Sequence, residues 1–277
     1  MIVDIHTHFW RDQDLTGESE SSAEQAGGVS PRFHMTSDIH LKETAAVDRA
    51  VVFGMRSNSI NVPNDIVKEQ VDRAPERLIF FTSVNPAEED YMEELERTHV
   101  DLGARGIKLG PIYQGVHPTD DRFRAIYAYA EKHGLPIVIH MATTFVREYP
   151  LEYARPIHMD QIAIDYPDLK LVLAHLGHPW IGEAISIIRR HPNVYADLSA
   201  LYYRPWQFYN AMQLLVEYGP WGKVLFGSDF PFTKPSESVE GIQNVNHIVE
   251  GSHLPKIPED VIDNILHRDS LKVFGIE

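Results

Sequence analysis

Short apolar stretches recur along the chain, and each is followed by a segment with helical periodicity. In order they are MIVDI, RAVVFG, RLIFFTSV, RGIKL, LPIVIH, LKLVLAH, NVYADLS and KVLFGSD. Such near-continuous apolar runs are typical of strands that are covered on both faces. Helices are predicted between them at residues 88–101, 121–133, 159–166, 181–191 and 206–218. Eight alternating strand and helix units predict an α/β fold, a (β/α)8 TIM barrel with some distortion.

A doubly wound sheet is the alternative for alternating strands and helices. No Gly-x-Gly-x-x-Gly follows the first strand, which disfavours a dinucleotide-binding sheet. Neither an internal repeat nor a Pro/Gly-rich linker divides the chain, so residues 1–277 are predicted to form a single domain. The polar stretch at about residues 10–34 is too long for an ordinary βα loop. It is interpreted either as a mobile flap over the barrel mouth or as a disordered segment.

Composition narrows the class of protein. No apolar run approaches the roughly 20 residues that cross a bilayer, and no signal-peptide pattern opens the chain, so a cytoplasmic protein without a membrane partner is expected. The net charge of −15 disfavours binding to nucleic acid, which leaves a small molecule as the expected partner. The chain has no cysteine, so any metal must be held by His, Asp or Glu.

The first strand carries two histidines, in the sequence VDIHTH. Because side chains alternate along a strand, Asp4, His6 and His8 are expected to project to one side, where two imidazoles could share a metal ion. With 15 histidines in the chain, roughly one His-x-His triplet arises by chance. A surface pair or a packed pair of imidazoles is therefore the alternative.

The ends of the predicted strands carry the remaining candidate chemistry, because catalytic groups of a barrel lie at its C-terminal face. Potential ligands or proton carriers follow five strands: His6 and His8, Lys108, His140, His175 with His178, and Asp229. Three neutral imidazoles and a carboxylate suit Zn²⁺, and also Fe, Co or Mn. Such a metal lowers the pKa of a bound water towards about 7, and a neighbouring histidine can then exchange a proton.

The motifs MIVDIHTH, GIKL, LPIVIH, LAHLGH and VLFGSDFPF together resemble the amidohydrolase superfamily. More narrowly, they resemble its amidohydrolase 2 branch, which includes the aminocarboxymuconate semialdehyde decarboxylase-like enzymes. The resemblance extends from residue 1 to the closing ILHRDSLKVFG. It implies that one divalent metal, usually zinc, is bound by His6, His8, His140 and Asp229. Related barrels often pair, which leaves a homodimer as an expectation.

The resemblance also implies roles in the reaction. His175 matches the histidine that polarises the water or exchanges a proton with the substrate, and His178 competes with it for this role. Asp229 in such enzymes hydrogen-bonds the water or accepts its proton. Decarboxylase-like relatives often carry His-Gly-Gly after the sixth strand, whereas this chain reads His175-Leu176-Gly177-His178. This departure leaves the reaction open.

Lys108 has three interpretations. In binuclear relatives a lysine on the fourth strand is carbamylated and bridges two metals, whereas in mononuclear relatives a basic group near this strand end can bind a substrate carboxylate. A salt bridge with a neighbouring acid is the third. The role in substrate binding is favoured over a second metal.

The segment SALYYRPWQFYNAM after the seventh strand is rich in aromatic residues. These side chains could simply pack a helix against the barrel. Alternatively, Tyr202 lines a pocket for a planar acid, Arg204 pairs with its carboxylate, and His178 lies in the same pocket.

Two reactions fit this candidate site. The favoured one is hydrolysis of a small carboxylate-bearing amide, lactone or ester by metal-activated water, with His175 or Asp229 protonating the leaving group. The alternative is non-oxidative decarboxylation of an unsaturated or aromatic acid, in which a proton is delivered to carbon as CO₂ leaves. A barrel that only binds a ligand is a third hypothesis, but it predicts the loss of some ligand residues.

Overall fold

The computed structural model describes residues 1–15, 34–145 and 147–276. Most of the predicted flap at about 10–34 therefore lies outside the described residues. Of its first part, Asp12–Asp14 forms a 3-10 turn and Leu15 forms a bridge with Ile60. Trp10, at the start of this segment, is 2% exposed and belongs to the core.

The strands of the described chain form parallel pairs in sequence order. They are β1 Val3–His8, β2 Arg49–Phe53, β3 Leu78–Phe80, β4 Thr82–Ser83, β5 Ile107–Leu109, β6 Ile137–His140, β7 Leu171–Ala174, β8 Val194–Asp197 and β9 Val224–Leu225. The predicted third strand is split into β3 and β4 at Phe81. At this point the hydrogen-bonding partner changes, because the Phe81 amide donates to Val52 and the Thr82 amide donates to Gly106.

Backbone hydrogen bonds also join the first strand to the last. The amide of Ile5 donates to the carbonyl of Phe226 at 3.0 Å, and the amide of His8 donates to Phe230 at 2.7 Å. With β3 and β4 taken as one interrupted strand, eight strands alternate with helices around a common axis. The predicted (β/α)8 barrel class is confirmed.

Helices cover the outside of the strands. Those described are α1 Ser37–Thr44, α2 Asn64–Val71, α3 Tyr91–Val100, α4 Pro111–Gln114, α5 Asp121–His133, α6 His158–Asp165, α7 Ile181–Arg190, α8 Pro205–Tyr218, α9 Pro235–Gln243, α10 Glu259–His267 and α11 Ser270–Phe274. Helix α5 has the predicted bounds because both ends are capped. The Asp120 carboxylate accepts from the Arg122 amide, and Gly134 ends the helix with a φ of +68°.

The strands present two apolar faces. Val138 and Val172 pack inside the barrel with Phe53 and Phe81, whereas the residues that flank them along the strands pack towards the helices. This inner cluster supports the top of the barrel, because the Phe53 ring lies 5.2 Å from the His6 ring and 4.8 Å from the His8 ring, centroid to centroid.

A β-bulge shapes the start of the barrel. Ile5 and His6 together stand opposite the single residue Val51 of β2. Simple alternation along the strand predicted that Asp4 shares a face with His6 and His8. The bulge interrupts this alternation between Asp4 and the two histidines. Oδ1 of Asp4 accepts from the backbone amides of His6 and Ser228, so this buried carboxyl ties β1 to the residues that follow β9.

Candidate metal centre

The ends of β1 and β9 bring two imidazoles to one carboxylate. Oδ1 of Asp229 lies 3.2 Å from Nε2 of His6 and 3.4 Å from Nε2 of His8. Two ligands bound tetrahedrally at about 2.1 Å from one ion are separated by roughly 3.4 Å. Each of the two nitrogens therefore lies at the distance from the Asp229 oxygen that two ligands of one ion would have.

His140 and His175 extend the group of imidazoles. Nε2 of His175 lies 3.1 Å from Nδ1 of His140, and the His6 and His175 ring centroids are 5.0 Å apart. Within the described chain, ligand atoms of His6, His175 and Asp229 all lie within 4.8 Å of one another. From the sequence, His140 is the expected ligand beside His6 and Asp229. In the structure, His175 rather than His140 belongs to this close group.

The orientation of His140 explains this difference. Its Nε2 lies 3.0 Å from the carbonyl oxygen of Ala142, which accepts a hydrogen bond from it. The nitrogen left with a lone pair is then Nδ1, which faces His175. His140 would bind a metal through Nδ1, and in this structure His175 stands beside that atom.

Asp197, at the end of β8, is a candidate site residue that the sequence analysis did not single out. It is completely buried, and its Oδ2 lies 2.9 Å from Nδ1 of His6. Its Oδ1 accepts from the backbone amides of His175 and Ser199, each at 3.0 Å. By accepting the Nδ1 proton of His6, Asp197 leaves the Nε2 lone pair directed at the candidate metal position.

Ser199 fixes the tautomer of His175 in a similar way. Its hydroxyl is hydrogen-bonded to Asp197 and lies 2.7 Å from Nδ1 of His175. A carboxylate only accepts, so the hydroxyl donates to Asp197 and accepts from Nδ1–H of His175. Nε2 of His175 then carries a lone pair 3.1 Å from the Nδ1 lone pair of His140, so the two nitrogens repel each other unless a proton or a metal ion lies between them.

The protonation states of the imidazoles follow from burial. Burial is the largest cause that lowers the pKa of His6, His8 and His175 well below the usual range. Burial, followed by the Lys108 ammonium, lowers the pKa of His140 to about 3. All four rings are therefore neutral at pH 7, which is the form that binds a divalent metal.

Lys108 lies at the centre of this group. Its Nζ is 2.8 Å from Nε2 of His6 and 4.7 Å from the centroid of the Phe53 ring, and the residue is 1% exposed. Burial lowers its pKa to about 8, although the Asp229 carboxylate opposes the shift. Conversely, burial raises the pKa of Asp229, and Lys108 opposes that shift. The amine and a metal ion would use the same lone pair of His6.

The backbone turns sharply where these side chains emerge. Four non-glycine residues after strands β7, β8 and β9 adopt positive φ: His175 at 60°, Leu176 at 46°, Ala200 at 59° and Asp229 at 64°. Side chains other than Gly, Asn and Asp rarely adopt this region, and such strain is concentrated at functional sites. The left-handed turns direct the His175 and Asp229 side chains into the barrel mouth.

A cavity of about 210 Å³ opens above the imidazoles. Its floor is formed by His8, Lys108, His140, His175 and Asp229. Its walls are largely apolar and aromatic, and include Trp10, Met55, Tyr113, Phe145, Tyr203 and Phe232. Polar groups on the rim include Ser59, Thr143, Thr144, His178 and Arg204. The volume and the lining suit a small planar molecule with a polar end.

The segment after β8 contributes only some of the predicted residues. Arg204 lines the cavity, and its guanidinium lies 4.3 Å from the centroid of the Tyr203 ring. Tyr202 lies elsewhere: it packs against Phe208, and its hydroxyl donates to the carbonyl of Gly227 at 3.1 Å. The position predicted for Tyr202 is therefore wrong, and the neighbouring Tyr203 forms the wall.

His178 also reaches the cavity, on the same side as Arg204. Burial, and then the Arg204 charge, lower its pKa to about 4. A neutral imidazole beside a guanidinium can donate or accept one hydrogen bond to a bound molecule. Among the described residues, His178 is not part of the group of His6, His175 and Asp229 whose ligand atoms lie within 4.8 Å of one another.

A (β/α)8 barrel with neutral histidines and an aspartate gathered at its strand ends has the architecture of a metal-dependent amidohydrolase. The amidohydrolase 2 family model, described as amidohydrolase, matches residues 3–276. The chain belongs to this family, and the resemblance found in the sequence is confirmed. No curated protein sequence matches the chain significantly.

Solved structures share the fold. An uncharacterized TIM-barrel protein from Bordetella bronchiseptica is 22% identical over 99% of this chain and 98% of its own, with a TM-score of 0.78. A probable 2-pyrone-4,6-dicarboxylic acid hydrolase from Acinetobacter baumannii, with citric acid bound, is 15% identical over 99% of both chains, with a TM-score of 0.70. A dihydroxybenzoic acid decarboxylase from a Polaromonas species, with manganese and 2-nitroresorcinol bound, is 16% identical over 99% and 97% of the two chains, with a TM-score of 0.67.

The residues present fit a single divalent metal. Two imidazole nitrogens each lie at a suitable distance from one carboxylate oxygen, and a third imidazole offers Nδ1. The rings are neutral, and hydrogen bonds fix the tautomers of His6 and His140. None of the described helices has the length and apolar character needed to span a bilayer.

Proposed function

We propose that the protein is a metal-dependent hydrolase of a small substrate that bears a carboxylate, either an amide, a lactone or an ester. One divalent metal, zinc or manganese, is held by His6, His8, His140 and Asp229. The observation that carries this proposal is the spacing of 3.2 and 3.4 Å from one Asp229 oxygen to two imidazole nitrogens. When bound, the metal polarises a carbonyl group and lowers the pKa of water.

The proton transfers are assigned to His175. Its Nε2 lies at the cavity floor, and Ser199 and Asp197 hold its Nδ1 side. Because its imidazole is neutral at pH 7, it can accept a proton from water and return it to the leaving group. Asp229 shares this role, since burial raises the pKa of its carboxyl.

The substrate carboxylate is assigned to Arg204 and Lys108. The Arg204 guanidinium stands at the rim above the Tyr203 ring, and the Lys108 amine stands at the floor. A cation at each end of an apolar cavity favours a small dianionic or hydroxylated acid over a neutral molecule. Carbamylation of Lys108 to hold a second metal is the alternative role of this residue.

Decarboxylation of an aromatic acid is the second candidate. The aromatic walls, with Trp10, Tyr113 and Phe145 among them, suit a flat ring, and His175 is placed to deliver a proton to carbon. Structural neighbours include both a probable pyrone hydrolase and dihydroxybenzoate decarboxylases, so the fold favours neither reaction.

Labelled water separates the two reactions. The protein, loaded with zinc or with manganese, is incubated in H₂¹⁸O with lactones, esters and amides of dicarboxylic acids and with hydroxybenzoic acids. Hydrolysis predicts ¹⁸O in the product acid and no CO₂, whereas CO₂ release with no ¹⁸O in the organic product would establish the decarboxylase instead. His175→Ala should abolish the reaction, and His191→Ala, whose ring pairs with Asp160 outside the cavity wall, should not.

A further inference from the structure

Two loops form one side of the cavity and contact each other. The first follows β5 and contributes Tyr113, and the second follows β6 and contributes Phe145. The contact is close at Gly115, where φ is +67° and a Cβ would lie 2.3 Å from the ring of Tyr149. The position of the cavity wall therefore depends on how the two loops are held together.

Three ligand-type side chains meet between these loops, apart from the centre already described. They are His117 on the first loop, Glu152 in the 3-10 turn Leu151–Ala154, and His158 at the start of α6. Their ligand atoms all lie within 4.8 Å of one another. Nε2 of His158 is 2.9 Å from Oε1 of Glu152, and the two imidazole centroids are 4.5 Å apart.

The imidazoles are arranged as metal ligands. Nε2 of His158 is shielded from solvent yet makes no hydrogen bond of acceptable geometry, although Glu152 is close. Nδ1 of His117 lies 2.8 Å from Oγ1 of Thr119 and accepts from the Thr119 backbone amide at 3.3 Å. To bind a metal through Nε2, His117 would carry its proton on Nδ1 and donate it to Oγ1 of Thr119. Burial, and then the neighbouring His158, lower the pKa of His117, so its neutral form predominates at pH 7.

We propose that His117, Glu152 and His158 bind a second divalent metal, of the zinc class, that links the two loops. Two imidazole nitrogens and one carboxylate oxygen form a ligand set that zinc prefers, and nitrogen donors disfavour calcium and magnesium. The Glu152 side chain is 57% exposed, which gives an ion a path from solvent and leaves the remaining position to water. The proposal does not depend on which reaction the central cavity catalyses.

An ion pair between His158 and Glu152 is the simpler explanation of the same contact. It would account for the 2.9 Å distance, but it gives no role to His117, and it predicts that the cluster binds no zinc. The two explanations therefore differ in the number of metal ions per chain.

The test counts zinc in matched variants. Purified protein is equilibrated at a fixed free zinc concentration, passed through a desalting column and analysed for metal per chain. The test variant is His117→Ala with His158→Ala. The control is His99→Ala with His133→Ala, since these rings form another imidazole pair, with centroids 5.2 Å apart, beside the Tyr129 hydroxyl rather than a carboxylate.

We expect the test variant to bind about one zinc fewer than the wild type, and the control variant to match the wild type. Equal zinc contents in the test variant and the wild type would overturn the proposal. If circular dichroism shows that the test variant does not fold, Glu152→Gln, an exposed and nearly isosteric change, takes its place with the same expectation. Zinc lost only on substitution of Asp229, and never on substitution in this cluster, would equally overturn it.

Discussion

Replacement of Asp197 by Asn tests how the candidate metal centre is organised. In the wild type, Oδ2 of Asp197 accepts from Nδ1 of His6 at 2.9 Å, and Oδ1 accepts from two backbone amides. Asparagine keeps the oxygen for the amides but turns an NH₂ group towards Nδ1–H of His6. His6 must then take its other tautomer, with the proton on Nε2, and the lone pair that faces the metal position is lost.

The expected cost is large because Asp197 is fully buried and is therefore shielded from bulk water. Loss of a carboxylate that orients a metal-bound histidine lowers metal affinity about 10- to 100-fold, or roughly 1.4 to 2.7 kcal/mol. The assay is a zinc titration in competition with a chromophoric chelator. It is performed on protein that also carries His117→Ala and His158→Ala, so that only the central site is titrated.

Asp160→Asn is the matched control. Asp160 also pairs with an imidazole, at 2.7 Å from Nε2 of His191, but it lies outside the cavity wall. The zinc Kd should be unchanged in this variant. A Kd for Asp197→Asn within about threefold of the wild type, in protein that is folded by circular dichroism, would refute the argument that Asp197 sets the His6 tautomer.

Three further predictions address the substrate, the pH dependence and the loops. Arg204→Ala should raise KM for a carboxylate substrate on the order of tenfold or more, because a hydrogen bond to a charged group is lost. KM for the corresponding neutral ester should change little, and equal effects on both substrates would contradict the assignment. Burial, and then the Arg77 charge, lower the pKa of His40 to about 3, so the unfolded chain binds a proton that the folded chain excludes between pH 6.5 and 3. Wild-type stability in urea should fall as pH drops through this window by up to about 1.4 kcal/mol per pH unit, and the fall should be shallower in His40→Gln; parallel pH profiles would be the contrary result. Gly115→Ala should lower the free energy of unfolding by about 1 to 3 kcal/mol more than Gly134→Ala, since both glycines have positive φ but only at Gly115 would the new Cβ meet a ring; equal losses would argue against the close loop contact.

The order of strands and helices was predictable because both faces of each strand are buried. The apolar run LPIVIH contains β6, and α5 begins after the Asp120 cap and ends just before Gly134, as the pattern indicated. The bulge at Ile5 and His6 was not predictable, since local sequence does not record which residues of a neighbouring strand they face.

The site residues that lie at strand ends could be predicted from the barrel fold alone. His6, His8, His140, His175 and Asp229 come from strand ends, and these positions converge in every such barrel. Asp197 also ends a strand, β8, so the same rule could have indicated it. A single aspartate in NVYADLS has no other feature that marks it as a ligand candidate.

The cavity wall was less predictable, because loops decide it. Tyr202 and Tyr203 precede helix α8, so no helical periodicity indicates which of the two faces the cavity. Packing against Phe208 and a hydrogen bond to Gly227 turn Tyr202 away from it. Tyr113 and Phe145 enter through contacts between loops, which depend on tertiary structure rather than on local pattern.

Metal content per chain is the most direct test of the proposed centre. Elemental analysis is performed on the wild type, on His140→Ala and on Asp229→Asn, after equilibration with zinc or manganese. The proposed centre predicts that each variant contains about one metal ion fewer than the wild type. Wild-type metal content in both variants, or no bound metal in the wild type, would contradict it.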